Sequence, residues 1–400
     1  MTGAPGPARP RRDPGFAYLA SFVALGLSLT FVGPALTTLR DQAGVSTAAI
    51  AALFGSQAAG YLAGAVLGGR GYDAGLGHRL MAGSLVGVAV GLVAISMARS
   101  LPVLLVLFLL LGLAASMLDV GGNALLVWTR GAAVGPMMNA LHFMFALGAL
   151  ACPLVVNRSL AWAGDLRPAC WIGAVVCIAV AVLVLRRDEP APGAHEAAEG
   201  RPPAPRPILL AISTLFVLYV GVELGFAGWV YTYAEDLGVG GANGAAWLTA
   251  TFWAAFALGR LAGIPLAAVV EPRSMLLAAS SLAVAAAALL VAAGGGPLVW
   301  LGTALLGLGV APQFASMIAF AERHLAITGS ATSWFIGAAA VGSFCLPWLI
   351  GQLFDRTGPS AMPVVVLCSA VATLIWFLFV ARLLTQRDAT LVATEAVSIP

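Results

Sequence analysis

The chain has 400 residues, of which 60% are hydrophobic and 9% are charged, and its formal net charge at pH 7 is +3. A soluble domain carries about 25% charged residues, so this composition predicts a protein with many membrane-spanning segments. The small net charge excludes the basic surface of a nucleic-acid-binding protein. The five cysteines lie in or beside apolar segments without paired spacing, which predicts packing residues and neither disulfides nor a metal site.

Long uncharged stretches mark the membrane helices, because a helix needs about 20 apolar residues to cross the bilayer. We predict an all-α membrane protein with twelve such helices, six on each side of a polar break. The uncharged stretch 274–321 is divided at 294–297, since a Gly-Gly-Gly-Pro cluster is typical of a turn. The predicted spans are 16–39, 45–69, 79–98, 101–128, 134–157, 168–186, 207–234, 243–270, 274–294, 297–321, 327–353 and 360–384.

The distribution of the arginines predicts the orientation of the helices, because cytoplasmic loops carry an excess of basic residues. With the N-terminus inside, most arginines fall in inner loops, so we predict that both termini are cytoplasmic in a cell inner (plasma) membrane. The polar, Pro-rich stretch between the halves predicts a flexible linker. The predicted regions are a cytoplasmic tail at 1–15, a six-helix bundle at 16–186, a cytoplasmic linker at 187–206, a second bundle at 207–385 and a tail at 386–400.

The two groups of six helices carry matching motifs in the same order. The matching segments are 41–45 with 235–239, 60–64 with 259–263, 110–113 with 305–308, and 148–153 with 342–347. Glycines recur in these motifs, and small residues let membrane helices approach closely and slide. Two six-helix halves related by an axis along the membrane normal form the major facilitator architecture, which this sequence therefore resembles.

Polar side chains interrupt several of the apolar helices, and those of the first half predict a polar site between its second, fourth and fifth helices. A carboxylate at the centre of a membrane helix costs about 3 kcal/mol on insertion scales, so it must face the bundle interior or water. Asp119 and Asn123 are one turn apart in the fourth helix, and Asn139 and His142 share a face of the fifth. The candidate substrate- or ion-binding residues are Asp119, Asn123, Asn139, His142, Gln57, Glu223 and Trp229.

The sequence leaves a structural alternative open for each of the polar candidates. Asp119 or Glu223 could be an ion-pair partner of Arg260, which we predict to be a gating or structural residue. Asn123 could bond only to its local backbone, and Asn139 could be a helix-packing contact.

Three further candidates have alternatives of the same kind. His142 is either a proton relay or a neutral core group, and Gln57 either binds substrate or only lines the cavity. Trp229 either stacks on a sugar ring or belongs, with Tyr231 and Tyr233, to an aromatic belt at the membrane interface.

The loop between the second and third helices reads GGRGYDAGLGHRL. It resembles the major facilitator signature at that position, an aspartate and basic residues around a glycine turn. Asp73, Gly77 and Arg79 take this role, with a spacing one residue longer than is usual. The resemblance implies a cytoplasmic gate latch, with Asp73 capping or pairing with a neighbouring helix.

Two pairs of segments give a more specific resemblance. LDVGGN, followed by MNALHFMFALGALACPL, resembles the fourth and fifth helices of the fucose/glucose/galactose symporter group. YVGVELGFAGWVYTYAEDLG and FCLPWLIGQLFDRTGP resemble the sodium-dependent glucose transporter-like branch of that group. The resemblance implies a monosaccharide substrate and a coupling ion.

The resemblance also implies roles for individual residues. Asp119 corresponds to the acidic residue of the fourth helix and Asn123 to its partner. Asn139 matches the asparagine of the fifth helix, and His142 falls where glutamine is usual. Members of the group commonly carry a second carboxylate in the first helix, which is absent here, so Glu223 is our candidate for that role.

We therefore predict a secondary active transporter that takes up a sugar by alternating access, coupled to a proton or Na+. We predict that it acts as a monomer in the lipid bilayer, has no enzymatic activity and needs no cofactor beyond the coupling ion. The alternative is a proton-coupled exporter of drugs or metabolites. Such exporters usually show a Gly-Pro-Gly-Gly cluster in the fifth helix, which is incomplete at 148–153.

Overall fold

A computed structural model describes residues 13–130, 135–189, 205–294, 296–324 and 329–397, and within these ranges the chain is almost entirely helical. The helices are α1 (Gly15–Leu29), α2 (Val32–Ala43), α3 (Thr47–Ile50), α4 (Ala52–Asp73), α5 (Gly77–Met97), α6 (Leu101–Arg130), α7 (Gly135–Ala163), α8 (Arg167–Leu185), α9 (Arg206–Asp236), α10 (Gly244–Val269), α11 (Pro272–Ala293), α12 (Pro297–Val310), α13 (Gln313–His324), α14 (Gly329–Thr357) and α15 (Ala361–Val397).

The described helices form a multi-pass membrane protein. Eleven helical stretches within the described ranges are long and apolar enough to cross a membrane, and the last of them, Gly337–Arg387, contains most of α14 and most of α15. These two helices are separated by a 3-10 turn at Gly358–Ser360, so the described residues form twelve crossings. The predicted all-α fold of two six-helix halves is confirmed.

The ends of the bundle need names for the description of the site. We call the end that contains Gly15 and Arg206 the terminal face, and the end that contains Ala43 and Asp236 the distal face. Successive crossings alternate in direction between these two faces. The predicted cytoplasmic side corresponds to the terminal face.

Two predicted helices are broken in the structure, and a proline explains each break. The first crossing consists of α1 and α2 with an interruption at Thr30–Phe31, because Pro34 has no N–H to donate to the carbonyl four residues earlier. The tenth crossing consists of α12 and α13, and Pro312 lies in the interruption for the same reason.

Other helix ends follow or depart from the prediction for local reasons. The predicted turn at 294–297 is confirmed: Gly294 and Gly296 have φ angles of +53° and +75°, which favour glycine. The predicted end of the fifth crossing at 157 is wrong, since α7 continues to Ala163 and the charge on Arg158 does not stop it. Helix α15 extends to Val397 through much of the predicted tail, whereas most of the predicted tail at 1–15 and most of the linker at 187–206 lie outside the described residues.

The repeat in the sequence reappears as equivalent close approaches between helices. A β-carbon at Gly112 would lie 2.1 Å from the carbonyl oxygen of Gln57, and one at Gly307 would lie 2.5 Å from that of Phe252. The same equivalence relates Gly148, 2.1 Å from Val23 O, to Gly342, 2.2 Å from Val217 O. Both halves are therefore packed on glycines at matching positions.

Candidate functional site

The carboxylate of Asp119 lies near the middle of α6 and receives hydrogen bonds on both oxygens. The hydroxyl of Tyr61 on α4 donates to Oδ2. The amide of Asn123 donates to Oδ1 at 2.9 Å and also to the backbone carbonyl of Asp119. The four-residue spacing of Asp119 and Asn123 places both on one face of the helix, as the sequence predicted.

A second carboxylate with its own tyrosine lies in the other half of the molecule. Glu223 is near the middle of α9, and the hydroxyl of Tyr219, one turn earlier, donates to its Oε2. Tyr219 is buried, and Glu223 is half-buried. Each half thus contributes one acid whose carboxylate accepts a hydrogen bond from a tyrosine hydroxyl.

Arg260 on α10 lies within electrostatic reach of both acids. Its guanidinium interacts electrostatically with Glu223 in its own half and with Asp119 in the other half. The guanidinium also packs over the ring of Phe256, 4.6 Å from the ring centroid, which is a cation–π contact. Within the described residues, Arg260 forms an ion pair with neither acid, and its buried Nε has no hydrogen-bond partner.

His142 on α7 adds a further titratable group to this region. Its ring packs edge-on against Phe22 with 5.7 Å between centroids, and it is within electrostatic reach of Arg260. We call the resulting set the central site. Its members are Tyr61, Asp119, Asn123, His142, Tyr219, Glu223 and Arg260.

Gln57 and Trp229 already have bonding partners within the protein. The amide of Gln57 donates to the carbonyl of Leu29 at 3.1 Å, at the break between α1 and α2. The indole N–H of Trp229 donates to the carbonyl of Pro347 at 2.9 Å. Trp229 is 0% exposed, and its ring stacks on Phe354, so a role in stacking on substrate remains a prediction that requires this packing to open.

The membrane-belt alternative for the aromatic cluster does not fit the structure. Trp229, Tyr231 and Tyr233 are 0%, 3% and 3% exposed, whereas belt residues are in contact with the lipid headgroups. These three rings are part of the protein core.

The remaining predicted residues lie away from the central site or beyond what is described. Asn139 lies in α7, three residues before His142, but its side chain is outside the described set. Asp73 and Arg79 are exposed at the terminal face, and in the described part of the chain neither has a hydrogen-bond or ion-pair partner. Their role in a latch remains a prediction.

Sequence reasoning missed the two tyrosines of the central site. Tyr61 falls inside the repeated motif, at the position that Arg260 occupies in the second half, and this equivalence was a usable signal. Tyr219 precedes Glu223 by four residues, which is the spacing of helix neighbours.

The match to known protein families agrees with this arrangement of two halves around a polar centre. A family model described as "Major Facilitator Superfamily" matches residues 18–347, which is most of the chain. The chain belongs to the Major Facilitator Superfamily.

Individual proteins are similar to this transporter over most of its length. Sodium-dependent glucose transporter 1 of Danio rerio is 28% identical, and the alignment covers 90% of this chain and 68% of the relative. The human protein of the same name is also 28% identical, with coverage of 92% and 79%. The solved structure of the nucleoside transporter NupG superposes with a TM-score of 0.75 at 15% identity, covering 92% of this chain and 99% of that one; this likeness shows the fold.

The halves of the transporter are joined at the distal face by a set of hydrogen bonds that we call the distal seal. Helix α14 contacts the start of the second crossing, because Asp355 accepts from the backbone N–H of Ala48 and Gln352 donates to the carbonyl of Ala48. The bonds of the distal seal are Ala48 N to Asp355 Oδ2 at 2.8 Å, Gln352 Nε2 to Ala48 O at 2.9 Å, Thr37 Oγ1 to Glu235 Oε2 at 2.9 Å, and Asn157 Nδ2 to Asn243 Oδ1 at 2.7 Å.

Asp355→Ala is expected to shift the transporter toward states that are open at the distal face. The change removes a charged acceptor from the N–H of Ala48 at an exposed site, where water can take its place, so we expect a loss of about 0.5–1.5 kcal/mol, which corresponds to roughly a two- to tenfold change in the equilibrium. Thr232 is 2% exposed, and its hydroxyl lies 3.5 Å from that of Thr37, a residue of the seal. A Thr232→Cys reporter, in a background without the native cysteines, should therefore react faster with a membrane-impermeant maleimide. The reference protein and both variants carry the same reporter, so its own effect on the seal is common to all of them.

Asp165→Ala is the matched control for this experiment. Asp165 is another aspartate of the distal face, but it pairs with Arg167 in its own half. It should leave labelling of the reporter unchanged. Equal labelling rates in the Asp355→Ala and reference proteins would show that Asp355 does not hold the seal.

Proposed function

We propose that this transporter takes up a monosaccharide by alternating access, driven by a coupled proton or Na+. The observation that carries the proposal is the placement of Asp119. Its oxygens are bonded by Tyr61 and Asn123 of its own half, and its charge is within reach of Arg260 of the opposite half. A cation that neutralises Asp119 therefore changes an interaction across the interface along which the halves move.

The chemistry of the central site suits a neutral, hydroxyl-rich substrate. Carboxylate and amide oxygens accept hydrogen bonds, while the Asn123 amide and the Arg260 guanidinium donate them. The buried Nε of Arg260 has no partner among the described residues. A sugar presents several hydroxyl groups, each of which donates and accepts, so it can satisfy such groups. The names of the relatives, sodium-dependent glucose transporters, support the same substrate class and the coupling ion.

The energy available from one coupling cation is sufficient for uptake. A membrane potential of about 100 mV supplies about 2.3 kcal/mol per elementary charge, which sustains roughly a fiftyfold concentration ratio. We propose that the terminal face is cytoplasmic in the plasma membrane, as the arginine distribution predicts, so that the substrate enters from the distal face. We further propose that the monomer is the transporting unit.

The direct test is uptake of radiolabelled monosaccharides by proteoliposomes that contain the purified full-length protein. We expect at least one sugar to accumulate tens of times above its external concentration when an inward proton or Na+ gradient is imposed. The same vesicles without a gradient should only equilibrate it. Proton-driven movement of substrate in the direction opposite to the proton would establish the exporter alternative, and the absence of sugar flux under every gradient would contradict the proposal.

A further inference from the structure

The central site contains more acidic than basic side chains. Among its described members, Asp119 and Glu223 carry carboxylates and Arg260 carries the permanent positive charge. Tyr61, Tyr219 and His142 are the other titratable groups that face them, from α4, α9 and α7. With the tyrosines and the histidine neutral, the three charged side chains sum to one negative charge.

The position of Arg260 makes it a shared partner of both acids. The guanidinium packs on the ring of Phe256 and contacts the hydroxyl of Tyr219, the donor to Glu223, and both carboxylates are within its electrostatic reach. Each acid has its own tyrosine donor, so neither depends on Arg260 for its only hydrogen bond. The tyrosines therefore supply the hydrogen bonds to the acids, and Arg260, which also contacts the Tyr219 hydroxyl, supplies the positive charge.

We propose that Arg260 is a built-in counter-ion for one of the two carboxylates, so that the transporter couples each substrate to a single cation. This inference rests on the proposed ion-coupled function and adds its stoichiometry and its cause. Coupling then depends on the summed charge of Asp119, Glu223 and Arg260, and not on the identity of one acid.

The physical reason is the free-energy cost of enclosing an unbalanced charge in a membrane interior, which amounts to several kcal/mol. With both acids ionised, the site carries one uncompensated negative charge, and the halves close over it readily only when a cation is present. Removal of one acid leaves a balanced pair, so closure needs no cation. Removal of one acid together with Arg260 leaves one negative charge again, so the requirement for a cation returns.

This rule predicts a reversal of phenotype between a single and a double variant. In proteoliposomes, Glu223→Gln should lower gradient-driven accumulation from tens-fold to about onefold, while substrate counterflow continues at a reduced rate. Glu223→Gln/Arg260→Gln should restore accumulation above equilibrium. Asp119→Asn/Arg260→Gln is the second rescue pair, and Glu271→Gln, a change to an exposed acid near Arg323, is the control that should accumulate substrate as the unmodified protein does.

A measurement without substrate separates this rule from the proposed function. Cation binding to the folded protein stabilises it, so the thermal unfolding temperature of the purified protein in detergent should rise as protons or Na+ are added. The rise should disappear in Glu223→Gln and return in Glu223→Gln/Arg260→Gln. This pattern would support the charge rule even if the unmodified protein accumulated no monosaccharide, which would contradict only the proposed function.

Three results would overturn the inference. Accumulation that persists in Glu223→Gln would show that the balanced pair still needs a cation. A double variant that unfolds like Glu223→Gln, without cation stabilisation, would show that charge balance is not the cause. Loss of counterflow in every variant that lacks Arg260 would show that Arg260 is needed to bind substrate and is not an exchangeable counter-ion.

Discussion

Asp119→Asn should abolish gradient-driven accumulation of substrate in proteoliposomes while exchange of labelled for unlabelled substrate continues at a reduced rate. The asparagine carbonyl can still accept from Tyr61, whereas its amide meets the donor of Asn123, which must flip to present its oxygen. The flip breaks the bond from Asn123 to the backbone carbonyl of residue 119, but the bond from Tyr61 is kept, and the main loss is the charge. Because Glu223 and Arg260 then balance each other, we expect the roughly fiftyfold ratio that one cation can sustain to fall to about onefold.

The control for this change is Asp165→Asn, which makes the same replacement at the distal face, where the Asp165 side chain pairs with Arg167 of its own half. It should accumulate substrate as the unmodified protein does. Uptake and exchange should be measured on the same vesicle preparation, so that protein content is equal. Sustained accumulation in Asp119→Asn would remove Asp119 from the coupling mechanism.

Gly60→Val should prevent the first half of the transporter from packing. A β-carbon at Gly60 would lie 1.9 Å from the carbonyl oxygen of Leu109, and Gly112 makes the reciprocal approach to Gln57 at 2.1 Å. Backbone atoms cannot move aside as a flexible side chain can, so α4 and α6 must separate along their length. Overpacking typically lowers the free energy of unfolding by 1–3 kcal/mol, and we expect a loss of about 3 kcal/mol or more here.

The measurement is the thermal unfolding temperature, together with monodispersity in size-exclusion chromatography. Gly69→Val is the matched control, because Gly69 lies in the same helix and has no neighbouring atom within 4 Å of an added β-carbon. We expect Gly69→Val to behave as the unmodified protein, whereas Gly60→Val should aggregate or unfold at a clearly lower temperature. Equal unfolding temperatures would mean that the two helices are not held by this contact.

The membrane crossings could be predicted from the sequence. A spanning segment needs about 20 apolar residues and must pair all its backbone polar groups, which leaves few alternatives to a helix. Asp119 and Asn123 were predictable as a pair, since a four-residue spacing fixes their common face. Contacts between distant helices were not predictable in the same way. Gln57 bonds to the carbonyl of Leu29, which is the last residue of α1 and lies at the break before α2 in a different crossing.

Aromatic residues show the limit of the sequence more generally. A tyrosine in an apolar helix has the same appearance whether its hydroxyl meets a carboxylate, as that of Tyr61 does, or lies among packed rings. Trp229 was a reasonable candidate for substrate contact, but its indole is bonded to Pro347 and stacked on Phe354. Only the packing of neighbouring helices distinguishes these cases: α4 against α6 for Tyr61, and α9 against α14 for Trp229.

The hydrogen bonds between α14 and the start of the second crossing determine which residues can be substituted there. Asp355 and Gln352 both contact the main chain of Ala48, and every residue except proline offers the same N–H and carbonyl there. These two bonds therefore constrain position 48 only against proline, whereas they require a matching acceptor at position 355 and a matching donor at position 352. The distal seal therefore depends on side-chain identity at α14 but mainly on the backbone at Ala48.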